Sequence, residues 1–273
     1  MRRAHPTRST VRGFTLLEAI MAIVITGIIA GMVAVFIARP IKGYADSVRR
    51  AGLTDTADGA LKRMGLDIRT AVPNSLRVDA SGHFVEFIPA RLGGRYCTDT
   101  DAGCDALDFN STDTQFDVLG PTHDAAVGEA LVIFNTGQTG LDAYAGDNRR
   151  TISNIGTTTT AISFTGARFP FASPSNRFQV VPATGPVTFA CENLGGTATG
   201  TGTLKRYTGY GYHGTQPTTG LGTGALLADG LADCHFAYQT VNATNGLVGL
   251  FLRLLSDSET VSLVHQIHVD NMP

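Results

Sequence analysis

From Ala19 to Ala38 the chain runs for twenty residues without a charge. As a helix rising ~1.5 Å per residue, such a run is about long enough to cross a ~30 Å hydrocarbon layer. Glu18 stands at its mouth, and a carboxylate near mid-bilayer costs roughly 2.5–3.5 kcal/mol on insertion scales, so an acid here invites a functional explanation. Residues 1–13 carry Arg2, Arg3, Arg8 and Arg12 and no acid. Positive charge ahead of a first span keeps the N-terminus in the cytoplasm and sends the rest across. Arg39, Lys42, Arg49 and Arg50 weaken that asymmetry, but the first block usually dominates topology. An ordinary signal peptide fits poorly. The apolar run exceeds the ~7–15 residues of its hydrophobic region, and no A-x-A-like cleavage site follows.

The order Gly13-Phe14-Thr15-Leu16-Leu17-Glu18 resembles the class III signal of type IV prepilins and type II secretion pseudopilins. The resemblance implies that a prepilin peptidase cuts after Gly13 and methylates the new amine on Phe14, while the apolar helix is retained. It also implies that Glu18 of one subunit neutralises the Phe14 amine of a neighbour. A buried charge is tolerated when paired and costly when alone, so such a pair would act as a register device. Further segments look like MSHA-type minor prepilins of the biogenesis protein O kind. These are Arg39-Pro40-Ile41, Ala60 to Met64, Arg69 to Ser75, Phe116 to Gly120, Asp142 to Arg149 and His265 to Asn271. The related alternative is the J-type minor pseudopilin of type II secretion. By resemblance the partners are the peptidase, major and minor pilins through helix packing, and an inner-membrane assembly platform. The chain would cross the inner membrane once with its C-terminal domain in the periplasm, then enter a pilus or pseudopilus.

Pro40 falls just after the uncharged run, where an interior proline removes a backbone donor and clashes with the preceding turn. It reads as a kink between a membrane half, 14–39, and an amphipathic periplasmic half, 40–72. The apolar positions of that second half are Ile41, Tyr44, Val48, Ala57, Leu61, Met64, Ile68 and Val72, spaced by three or four from Ala57 onward. Three domains follow from this: a leader at 1–13, a long helix at 14–72, and a β-rich globular region at 73–273.

Charged residues are only 16%, with 32 Gly, which suits a loop-rich extracytoplasmic domain. Removing the four leader arginines from 21 basic residues leaves 17 against 23 acidic, a formal −6. That argues against a dedicated nucleic-acid surface, which needs a concentrated basic face. The four cysteines form an even set in an exported domain, so disulfides are the natural reading. Of three connectivities, the local one is favoured: Cys97 with Cys104 across a short polar loop, leaving Cys191 with Cys234. A zinc site with four cysteine ligands lacks a C-x-x-C spacing.

After Pro73-Asn74-Ser75, period-2 patterns alternate with turn signals. Strands are expected at 76–79, 83–88, 115–119, 130–135, 161–165, 177–181, 187–191, 203–207, 234–239, 246–255 and 260–269. Segments 137–150, 195–202 and 209–224 read as loops. The fold class is α+β: a long N-terminal hydrophobic helix packed on an antiparallel, sheet-rich, pilin-like domain.

No constellation argues for catalysis or a cofactor. His265-x-x-His268 sits on a strand, where residues three apart point to opposite faces. Asp99-x-Asp101-x-Gly103 begins like a calcium loop but reaches Cys104 and Asp105 instead of completing one. His123-Asp124 has no nucleophile placed by a motif. Tyr207, Tyr210 and Tyr212 allow two readings: rings covering the end of a small core, or a recognition surface with rigid polar-tipped contacts. The function expected is a minor pilin acting at fibre initiation or at the tip. The alternatives are a secretion pseudopilin and a tip adhesin.

Overall fold

The computed structural model describes residues 13–121, 123–155, 160–242 and 244–273. The basic leader, with Arg2, Arg3, Arg8 and Arg12, lies outside them. The chain divides into two compact units, 1–49 and 50–273. In the first, helix α1 (Leu16–Ile68) begins at Leu16 and continues through Pro40. Its side chains from Leu16 to Ile37 are exposed without exception. The apolar window that could cross a membrane is 0% buried, so this is not the core helix of a soluble domain.

Among the described residues, the second unit holds the last turns of α1 and thirteen strands. Seven of them form one antiparallel sheet: β1 (Arg77–Val78), β2 (Phe84–Phe87), β9 (Val187–Glu192), β10 (Gly202–Thr208), β11 (Ala225–Asn242), β12 (Asn245–Ser256) and β13 (Glu259–Asp270), side by side in that order. The other six close a barrel in the order β3 (Leu92–Tyr96), β4 (Gln115–Leu119), β7 (Ala161–Thr165), β6 (Arg149–Ile155), β5 (Ala130–Val132) and β8 (Arg177–Val181). The barrel is an insertion. β2 and β9 pair directly, Phe84 with Ala190 through Phe87 with Val187, so the chain leaves the sheet after Phe87 and returns beside the same strand.

The sheet buries Val248, Leu250, Leu252 and Leu254 of β12 against Ala57, Ala60, Leu61, Met64 and Ile68 of α1. The buried stripe is therefore shorter than expected: Ile41, Tyr44 and Val48 are exposed, and only residues from Leu53 onward meet this core. The helix also ends at Ile68, not at 72, because Ala71 bridges Pro89 and Val72 donates its N–H to Ile88. Burial of those backbone groups in a β-type contact ends the helix earlier than Pro73 alone requires.

The barrel core is aromatic. Phe116 lies 5.4 Å from Phe178 and 6.2 Å from Tyr96 between ring centroids. Gly94 makes this closure possible: a Cβ there would sit 2.7 Å from the Phe178 ring. Between barrel and sheet, Val72, Ile88, Val132, Ala143, Tyr144 and Val181 form a third cluster. Cys97 bonds Cys104, and Cys191 on β9 bonds Cys234 on β11. A disulfide of either kind restricts the unfolded chain.

Leu61 is 2% exposed at the centre of the α1–sheet contact. Leu61→Ala should lower unfolding stability by about 2–5 kcal/mol. A shift of the denaturant midpoint in the detergent-solubilised chain checks this.

Candidate functional site

The N-terminal site starts from three residues outside the helix, Gly13, Phe14 and Thr15. Thr15-x-x-Glu18 is a capping-box sequence. Thr15 is the N-cap: its Oγ1 accepts from the Glu18 backbone N–H at 3.3 Å, and its carbonyl accepts from Ala19 at 3.1 Å. The reciprocal half of the box is not formed. The Glu18 carboxylate makes no hydrogen bond or ion pair among the described residues, and the residue is exposed at the positive end of the helix dipole. Phe14, 79% exposed, stands beside it on the N-terminal side. The first turn thus carries an exposed, unengaged carboxylate four residues after Phe14.

A family model described as the prokaryotic N-terminal methylation motif matches residues 8–34. This stretch is a type IV prepilin-like methylation motif. No curated protein and no solved structure matches the chain. The motif is the site at which prepilin peptidase cleaves and methylates. It supports a type IV pilin or pseudopilin, a structural class of protein, and the apolar helix behind it fits membrane anchoring.

The remaining sequence candidates lie elsewhere and apart. Pro40 is interior to α1. The three tyrosines face inward. Tyr207 is buried and its hydroxyl donates to Glu192; Tyr212 packs into the barrel–sheet cluster with the Arg149 guanidinium 3.3 Å from its ring centroid. Tyr210 donates to Glu86 at 2.9 Å. They cover core ends and do not form an exposed recognition loop, because each hydroxyl-bearing ring has an internal polar or cationic neighbour. His265 turns inward on β13 and His268 outward. Asp101 accepts from the Thr98 N–H at 2.9 Å and the Thr98 hydroxyl at 2.8 Å, and these bonds hold its carboxyl below the usual range. It closes a turn. His123 is buried, and burial pushes its imidazole below the usual range against the opposing pull of Asp124. Among the described residues no group of three metal-ligating side chains converges.

Sequence reasoning missed one charged centre. Glu86 on β2 is 0% exposed and receives Arg77 Nε at 2.6 Å and the Tyr210 hydroxyl at 2.9 Å. Since Tyr210 donates to that carboxylate, Thr188 must donate to Tyr210 across their 2.7 Å contact. Arg77 spends its other nitrogens on the carbonyls of His213 and Gly214, both at 2.7 Å, and lies 3.7 Å from the Tyr144 ring centroid. One guanidinium therefore ties the sheet, the 209–224 segment and the barrel. The sequence gives little sign of it: between Val85 and Phe87, which face the main core, Glu86 takes the opposite face of the strand.

Burial pushes the Glu86 carboxyl above its usual range, with Arg77 and Tyr210 opposing. A carboxyl raised on folding favours the folded state most at low pH and loses that contribution as pH rises through the raised value. Arg77→Met removes the opposing charge, and stranding a buried carboxylate costs about 3–5 kcal/mol at neutral pH. Unfolding measured across pH should show the deficit against the parent chain shrinking on acidification, as Glu86 takes up a proton.

Proposed function

We propose that this chain is a minor type IV pilin of the MSHA kind that acts at the initiation or tip of a fibre. The carrying observation is the unengaged Glu18 carboxylate on the first turn of an exposed apolar helix, four residues from the amine that cleavage after Gly13 would create. Peptidase cleavage frees that amine, and methylation keeps it basic on Phe14. In a helix bundle within lipid, neither Glu18 nor a neighbour's amine has water to solvate it. Only an axial stagger that brings them together satisfies both. The apolar length supplies packing, and the charge pair selects its register. In this reading the peptidase processes the chain, other pilins receive the helix, and the inner-membrane platform drives extraction. A J-type role in secretion would use the same helix start.

One observation favours a second, compatible role as a tip module. The barrel occupies residues 88–186 inside a pair of strands that already close the sheet without it. Such a placement adds surface without altering the helix–sheet scaffold.

Glu18→Ala should leave processing at Gly13 intact and reduce the chain in sheared fibres by tenfold or more, on the order of 1.4 kcal/mol of assembly free energy. Mass spectrometry of fibre and membrane fractions reads both quantities at the methylated Phe14 peptide. Normal incorporation of the variant would remove the register role. An intact Met1 leader in the mature parent protein would remove the pilin reading itself.

A further inference from the structure

Strands β3 and β8 alternate between the inside and the outside of the barrel. Leu92, Phe178 and Val180 pack into its core, so Gly93, Arg95, Arg177 and Gln179 lie on the outer face. There Arg95 stands directly opposite Arg177, and Gly93 directly opposite Gln179. Like charges in a cross-strand pair are destabilising, and a glycine inside a strand gives up packing. Neither feature stabilises the barrel. A groove of about 330 Å³ opens beside them, lined among others by Arg69, Arg91, Gly93, Arg177, Gln179 and Asp270.

Acids outnumber bases over the whole chain, 23 to 21, yet arginines here are left over. Among the described residues, the side chains of Arg69, Arg95 and Arg177 make no hydrogen bond or ion pair. The Asp101 carboxylate feels Arg95 but spends its own bonds on Thr98. Arg91 differs, being held by Glu129 and Asp124. Two acceptors are idle as well. Gln179 Oε1 is buried without a donor, and Asp270 receives the Met272 N–H on Oδ1 at 2.9 Å while its Oδ2 has no partner among the described residues. A buried acceptor left unpaired is costly, and each such group calls for an explanation. Nor does the fold require glycine at 93. A Cβ there would meet only the Phe178 carbonyl at 3.5 Å, an ordinary contact, and its φ is not positive. A glycine within a strand often marks a place where a ligand comes close to the backbone.

We infer that this groove binds a polyhydroxylated carboxylate, the chemistry of an acidic sugar. The guanidinium groups of Arg177 and Arg69 take the carboxylate, for which their planar donor forks are matched. Hydroxyls of the ligand donate to Gln179 Oε1 and to the spare oxygen of Asp270. The bare backbone at Gly93 lets the ligand lie against the strand beside Gln179. Asp270 narrows the class. It repels a phosphate dianion at close range, whereas a neutral hydroxyl donates to it. A simple inorganic anion would leave both acceptors unfilled. The free sugar acid and one residue of an acidic polysaccharide offer the same groups. The site stands on the groove alone and does not depend on the fibre reading.

Glucuronate titrated calorimetrically into the full-length chain in detergent should bind at low salt and weaken as salt is added. Glucose and cyclohexanecarboxylate each carry half of the chemistry, and each should bind roughly tenfold more weakly or worse. Arg177→Gln should lower glucuronate affinity by about tenfold or more. Gln179→Leu should erase the preference for glucuronate over cyclohexanecarboxylate. Gly93→Val suits a strand and should block binding with the thermal midpoint at or above the parent's. If that midpoint falls, the folded Arg177→Gln variant decides. Oligomeric glucuronate binding more tightly than the monomer assigns the ligand to a polysaccharide, and equal binding assigns it to the free acid. No binding of glucuronate, equal binding of inorganic phosphate or of a glutamate-rich peptide, or affinity untouched in folded Arg177→Gln would overturn the site.

Discussion

The pairing of β2 with β9 is the contact on which the globular unit depends. Two segments separated by residues 88–186 lie in register from Phe84 with Ala190 to Phe87 with Val187. Bringing distant segments together costs loop-closure entropy that rises only slowly with length, so a large insertion is tolerable where its ends are held close. The sheet holds them close on one side and the barrel on the other: Arg91 at the barrel's entrance donates its N–H to Val180, near its exit. Glu86 sits inside this pairing, and Arg77 meets it from β1 while reaching the 213–214 carbonyls and the Tyr144 ring. The buried charge is placed where insertion, sheet edge and long loop converge. Its directional bonds select one arrangement of the three.

The two ends of α1 meet opposite demands. Residues 50–68 bury Ala57, Leu61, Met64 and Ile68 on the sheet and add ion pairs at the rim, Arg50 with Glu259 and Asp67 with Arg206. Residues 16–37 are exposed throughout among the described residues. An isolated apolar helix of that length in water would expose far more hydrocarbon than a monomer's largest patches ordinarily do. The helix fits membrane anchoring, and the proposed pairing of Glu18 belongs to that setting. In water it is an ordinary first-turn acid, favourable to the helix dipole. In a bundle it is a charge that needs a partner.

Local signals made much of this legible. The span, its Gly-Phe-Thr-Leu-Leu-Glu start and the long helix follow from charge spacing and the 3.6-residue period. Strands β4, β7 and β8 fall at 115–119, 161–165 and 177–181 as alternation predicts, and each strand of the closing hairpin runs one residue beyond its expected bounds, 246–255 and 260–269, at both ends. The failures share a cause. β3 reads Leu-Gly-Gly-Arg-Tyr, where two glycines erase the alternation; Gly94 is glycine because the Phe178 ring occupies the space of its side chain. β6 opens on Arg149 and Arg150, which resemble loop residues until Tyr212 and the Phe169 ring are seen to lie over them. The first half of β11 was hidden by the glycines around 220–230. In each case the partner that makes the residue sensible is remote in sequence. The grouping of strands into a sheet and a separate closed barrel is likewise set by non-local pairing, which no window of the chain displays.

Thr15 shows how local and intermolecular demands are kept from competing. A full capping box would fold the Glu18 side chain back onto the Thr15 N–H and spend its carboxylate there. The threonine hydroxyl alone caps the Glu18 N–H, so the helix has a defined start without that second bond. The Thr15 N–H left over is a weak competitor for the carboxylate, worth about 1 kcal/mol as an exposed cap, whereas a charged amine in a low-dielectric bundle is a far stronger one. The carboxylate is thus held on a formed first turn and, among the described residues, has no intrachain bond to give up before it meets a charged group. Residues 50–273 complete their own cores without the span.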